Sequence, residues 1–150
     1  MGKAALERFL LRARRAVRLK GTVNMLVTSS AELRALNRQF LGKNTATDVL
    51  SFPPAEMRVR EWKSFAGDVA ISADIARDNA QRLGHSLAEE IKILALHGVL
   101  HLAGFDHERD NGEMARKEVR LRQKFKLPVA LLEREAPAPA KKANRRRRAR

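Results

Sequence analysis

Residues 86–108, SLAEEIKILALHGVLHLAGFDHE, constrain the fold more than any other stretch of this chain. Ser86 with Glu89 three positions later is a capping box, and Glu89 and Glu90 suit the positive end of a helix dipole. The run that follows is almost wholly apolar as far as Ala103, and Gly104 can stop it. A helix that is apolar nearly all round belongs in a core. The pattern therefore predicts a central helix over about residues 86–103, with the other elements packed around it. Yet three of the chain's four histidines, His97, His101 and His107, fall in or just past this helix.

His97 and His101 stand at i and i+4, one turn apart on the same helical face. Gly104 permits a left-handed residue that reverses the chain, and His107 can then swing back to the same point. Three imidazoles converging in this way can hold one metal ion and leave a fourth tetrahedral position open, as catalytic zinc sites do. Zinc so held lowers the pKa of its water to about 7. If the three were ordinary core histidines, each would need its own polar partner; one ion per chain serves all three. A metalloprotease of the H-E-x-x-H type carries its base directly after the first histidine, and here that place is Gly98. Peptide hydrolysis falls behind, and a glycine there is expected to clear space for a bulky substrate beside the metal. Asp106 is expected to orient a histidine or accept a proton, its other reading being turn chemistry. His85 follows Gly84 and reads as a turn residue.

The length of 150 residues fits one domain with a real core. With no cysteine there is no disulfide framework, thiolate zinc site or cysteine nucleophile. No apolar run is long enough to cross a membrane, and the N-terminus lacks the features of a secretory signal, so a cytoplasmic protein is expected. The formal net charge is +14, and it is concentrated at the two ends. Residues 136–150 hold seven basic residues and no acidic one; residues 1–20 hold seven basic residues and Glu7. The body between them has 17 basic and 16 acidic residues. Such a distribution points to a polyanionic partner, most simply nucleic acid, with a purely solubilising tail as the bland alternative.

Along the chain, 3–20 reads as a helix that Gly21 stops, and 22–28 as a strand. Ser30 is expected to cap a helix running to Leu41. A strand over 47–54 halts at two prolines, and 55–65 with Trp62 reads as a loop. A strand over 67–72, a helix over 73–83 ending at Gly84, the central helix and a last helix over 111–125 follow. From Ala136 the chain is low in complexity and reads as a disordered basic tail, leaving a domain over 1–135. The βαβ units are too few for a doubly wound sheet. The expected fold is α+β: a small mixed sheet of three or four strands, about five helices, and a metal site at the end of the central helix.

The segment HGVLHLAGFDH resembles the H-G-x-L-H-L-x-G-[YF]-D-H signature of the YbeY family of bacterial ribosomal RNA maturation factors. TDVLSFP at 47–53 resembles a second signature, LNRQFLGK at 36–43 a third, and AGDVAIS matches the segment that follows. The resemblance spans about residues 3–130. It implies a single-strand-specific, zinc-dependent endoribonuclease acting in small-subunit (16S) ribosomal RNA maturation and ribosome quality control. It also implies zinc on His97, His101 and His107, and the small ribosomal subunit and its assembly proteins as partners. Two departures stand out. The family commonly has arginine before the Gly-Lys of the third signature, where this chain has Leu41. It also commonly has a strand ahead of the first helix, for which Met1 and Gly2 leave no room, so either an edge strand is missing or the start is cut short.

Arg38 and Arg34 share a helical face with Leu41, and Arg38 is the expected replacement for the family's arginine, Lys43 being a weaker candidate. RNA contacts are expected from Lys43, Arg34 and the tail residues Arg145, Arg146, Arg147 and Arg148. Two rival readings remain: a zinc-stabilised assembly factor that binds RNA with little nuclease activity, which Leu41 favours, and a metal hydrolase acting on something other than RNA.

Overall fold

A computed structural model describes residues 1–54 and 64–129. In chain order the elements are α1 (Lys3–Ala16), β1 (Thr22–Thr28), α2 (Ser30–Leu41), β2 (Val49–Phe52), β3 (Phe65–Ser72), α3 (Ala73–Leu83), α4 (Leu87–Leu102) and α5 (Glu113–Lys124). The strands form one mixed sheet in the order β1-β3-β2. β1 runs parallel to β3, and β2 antiparallel to it. The architecture is the α+β arrangement expected, with five helices and three strands among the described residues.

β3 lies in the middle of the sheet and is buried on both faces. Val69 and Ile71 point into the main core with α4 and α1; Ala70 points the other way, into a smaller cluster with Leu33 of α2 and Leu50 of β2. The sheet is thus covered on both sides, which is why Val69, Ala70 and Ile71 are apolar in succession rather than alternating with polar residues. α4 is the hub, packed against α1, α3, α5, β2 and β3. Its buried residues include Ile93, Leu94, Ala95, Leu96, Val99 and Leu100, which face every direction around the helix axis.

Several boundaries differ from the sequence reading. α1 ends at Ala16 because Arg18 takes a positive φ of 56°, well before Gly21. The cap of α2 is Ser29, whose hydroxyl accepts the Glu32 N–H, while Ser30 is the first helical residue. The Ser30 N–H donates instead to the Asp74 carboxylate at 2.7 Å, tying α2 to the start of α3. β2 is shorter than expected, and α5 begins at Glu113 because Asp110 accepts the N–H groups of Gly112 and Met114. Most of the 55–65 loop and the whole 136–150 tail lie outside the described residues.

Candidate metal centre

The capping box holds as read: Ser86 Oγ accepts the Glu89 N–H at 3.1 Å, and Glu89 accepts the Ser86 N–H at 2.9 Å. It starts a helix rigid enough to set two side chains at its far end. There His97 and His101 bring their rings to a centroid distance of 4.7 Å. Past His101 the helix closes with Gly104 N–H on the His101 carbonyl, and Gly104 adopts φ +97°. A side chain at that φ would be strained, so glycine makes this exit available. The chain turns back, and His107 stands 5.3 Å from the His97 ring and 5.0 Å from the His101 ring. One ligand atom from each histidine lies within 4.8 Å of the others.

The outward nitrogens settle how the rings are turned. His101 Nδ1 lies 3.0 Å from the Phe105 carbonyl, which only accepts, so Nδ1 carries the proton. His97 Nδ1 lies 3.4 Å from the Glu118 carboxylate and carries its proton for the same reason. Both Nε2 lone pairs then face each other at 3.1 Å. Two acceptor lone pairs at that distance are accommodated by a cation or a proton between them. The edge of a tetrahedron of nitrogens around zinc is roughly 3.3 Å at ordinary Zn–N distances. His107 contributes a buried Nδ1 with no hydrogen-bond partner. Burial, followed by the neighbouring His97 and His107, lowers the His101 pKa from 6.5, which keeps its imidazole neutral and ready to ligate. The donor set fits a divalent ion that takes imidazole.

The cluster forms part of the wall of a cleft of about 670 Å³. The cleft is also lined by Leu41 and Lys43, by Asp48 and Ser51 at β2, and by Asp106. Lys43 is placed there by α2, whose buried Asn37 donates to the Thr45 carbonyl at 3.1 Å and whose Arg34 donates to Asn44 at 2.9 Å. Arg34 is therefore engaged in holding the loop. Arg38 is exposed on α2 and is not among the residues lining the cleft, whereas Leu41 and Lys43 are. Asp106 lines the cleft and also shows the turn chemistry, its Oδ1 accepting the Glu108 N–H at 3.1 Å.

Gly98 plays a different part from the one its position beside His97 suggests. It faces the sheet, not the metal side: a Cβ there would meet Val69 Cγ1 at 2.6 Å and Ser51 Oγ at 3.1 Å. The Ser51 hydroxyl donates to the Gly98 carbonyl at 2.9 Å. The glycine lets α4 lie close on the sheet, and a glutamate would have no room. His85 sits at the turn between α3 and α4, as read, but its ring is buried with Nε2 2.6 Å from Glu90. Asn79 joins Glu90 to Asp48 through its amide. The sequence reading missed this network, and it missed Glu118 and Arg122 altogether. The signal for the latter pair was present: Glu118 falls on the stripe Met114, Leu121 and Phe125 of the last helix, where an apolar residue is expected.

The profile of the family described as Endoribonuclease YbeY matches residues 3–126. The chain belongs to this family. It is 56% identical over 147 residues to an Endoribonuclease YbeY of Koribacter versatilis, covering 98% of this chain and 92% of that protein. Against the Endoribonuclease YbeY of Solibacter usitatus the identity is 48% over 132 residues, covering 88% and 85%. The fold is similar to the solution structure of TM1509 from Thermotoga maritima, with a TM-score of 0.54, 28% identity and coverage of 94% and 95%. The YbeY resemblance carried by HGVLHLAGFDH thus extends over nearly the whole chain.

Proposed function

We propose that this chain is a metal-dependent endoribonuclease that cuts single-stranded RNA in the cleft beside His97, His101 and His107, with the small-subunit ribosomal RNA as its substrate in the cytoplasm. The observation that carries this reading is the convergence of three imidazoles on one point in the wall of a cleft, in a member of the YbeY family. When bound, a divalent ion supplies Lewis acidity toward a phosphate oxygen and acidifies a water, and zinc suits a three-histidine site.

The chain's own groups do the rest. Lys43 and Asp106 both line the cleft; in this reading Lys43 is a point charge for a phosphate and Asp106 accepts a proton from the attacking group. Residues of β2 and of the end of α4 both line the cleft. The basic tail, with Arg145, Arg146, Arg147 and Arg148, adds phosphate contacts that carry no sequence information. No helix among the described residues is long and apolar enough to cross a membrane.

One observation favours a second reading. Leu41, 47% exposed, lines the cleft where the family commonly has arginine. A cleft short of that charge is the cleft of an RNA-binding assembly factor with little nuclease activity. Incubating tag-free protein with single-stranded ribosomal RNA, with and without chelator and then with zinc restored, separates the two. Cleavage that chelator stops and zinc restores supports the nuclease. Tight RNA binding by zinc-loaded protein without cleavage supports the assembly factor.

A further inference from the structure

α5 carries a buried ion pair directly behind the histidine cluster. Glu118 is 0% exposed and Arg122, one turn on, is 3% exposed, while Glu113, Arg116, Arg120 and Lys124 of the same helix reach solvent. Arg122 Nη2 donates to Glu118 Oε1 at 3.0 Å. The carboxylate's two oxygens each lie 3.4 Å from His97 Nδ1. The ion pair is poorly suited to stabilising the fold: Arg122 Nε and Nη1 are buried with no hydrogen-bond partner. A buried pair left partly unsatisfied is outdone in stability by apolar residues of the same volume. What the pair does provide is a fixed acceptor behind one ring nitrogen of one histidine.

We propose that Glu118, clamped by Arg122, is a positioning residue that sets the tautomer and orientation of His97 for its metal. This rests on the reading of the three histidines as a metal site. The carboxylate accepts only, so it draws the His97 proton to Nδ1 and turns the Nε2 lone pair toward His101 Nε2, 3.1 Å away. The Phe105 carbonyl does the same for His101. Arg122 has a separate effect. It offsets the Glu118 charge, so the apo cluster does not sit beside a bare buried carboxylate and is not driven to take up a cation merely to neutralise it. The pair thus divides the work: Glu118 orients His97, and Arg122 supplies the counter-charge without which the Glu118 carboxylate would be buried bare in the apo protein.

Zinc affinity, measured by competition with a chromophoric chelator on tag-free protein, is expected to fall roughly 10–100-fold in Glu118→Gln. Ring-nitrogen NMR of the apo variant should show His97 losing its preference for the Nδ1–H tautomer while the amide spectrum stays folded. Arg122→Met should do the opposite to the linkage: the apo Tm falls, and the rise in Tm on adding zinc exceeds that of the wild type. A merely structural pair would lower Tm in both variants and leave affinity and tautomer alone. If Glu118→Gln does not fold, with Arg122 left uncompensated, the double variant Glu118→Gln/Arg122→Met removes both charges and takes the same two measurements. Zinc affinity in the folded variant within twofold of wild type overturns this inference alone. A wild-type protein that binds no zinc overturns the metal reading and this inference with it.

Discussion

His97 Nε2 and His101 Nε2 face each other at 3.1 Å across one turn of α4, each ring turned inward by an acceptor behind it. Removing either of them leaves only two of the three converging imidazoles. His101→Ala is expected to abolish stoichiometric zinc uptake and with it RNA cleavage. In the wild type, burial and its two histidine neighbours hold the His101 pKa below 6.5, so proton competition at this ligand sets in only under that value. Zinc affinity followed by chelator competition should therefore fall as the pH drops, with His101 the ligand whose protonation is pushed to lower pH. Full zinc occupancy in the alanine variant would sink the assignment.

Much of this was legible in the sequence because it rests on local rules. A capping box, an i, i+4 histidine pair and a glycine exit are short-range devices, and each appears where the sequence puts it. What was not legible depends on which face of an element meets which neighbour. Gly98 looks, in sequence, like a gap beside a metal ligand; in the fold it is where α4 touches Val69. The burial of Glu118 and Glu90 follows only once α5 and α3 are packed against α4. Ser29 and Ser30 are interchangeable as caps until Asp74, 44 residues away from Ser30, takes the N–H of one of them.

Gly98→Ala tests the close approach of α4 to the sheet. Alanine in a helix is intrinsically favoured over glycine by about 1 kcal/mol. Against that, the new methyl would lie 2.6 and 3.0 Å from the two methyls of Val69, a side chain with no exposure and no far end to swing away. Overpacking of this kind costs about 1–3 kcal/mol, and the contacts place it at the upper end. A net loss of about 1–2 kcal/mol in urea unfolding is expected, with weaker zinc binding because His97 and His101 ride on the displaced helix. A variant as stable as wild type would mean that β3 gives way more easily than its burial implies.

Asp74 ties α2 to α3 and should give the protein an acid-sensitive joint. Hydrogen bonds from the side chains of Ser30 and then Ser72 hold its carboxyl at about 2, well below its usual 3.8. The folded pKa is depressed, so the contribution is complete above about 3.8 and is lost as the pH falls through about 2. Asp74→Asn keeps an acceptor but no charge. The wild type should therefore be the more stable of the two at pH 7, and the gap between their thermal midpoints should close between about pH 4 and pH 2. A gap that is constant over that range would assign the effect to shape and not to charge.

The last prediction concerns which cation faces the phosphate. Sequence spacing favoured Arg38 as the stand-in for the arginine that Leu41 replaces, since the two share a helical face. In the fold Arg38 is exposed on α2 and does not line the cleft, which is lined by Leu41 and by Lys43, the latter carried on the loop that Asn37 and Arg34 hold. Removing a donor that stabilises developing charge typically costs ~10²–10³ in rate. Lys43→Ala should therefore lower single-turnover cleavage of a short single-stranded RNA far more than Arg38→Ala does, with RNA affinity falling much less than the rate. Leu41→Arg should raise cleavage, because a guanidinium at that position grips a phosphate with two donors where Lys43 offers a point charge. Should Arg38→Ala instead prove the slower enzyme, with Leu41→Arg unchanged from wild type, then α2 presents its outer face to the RNA and the phosphate lies outside the cleft that Leu41 lines.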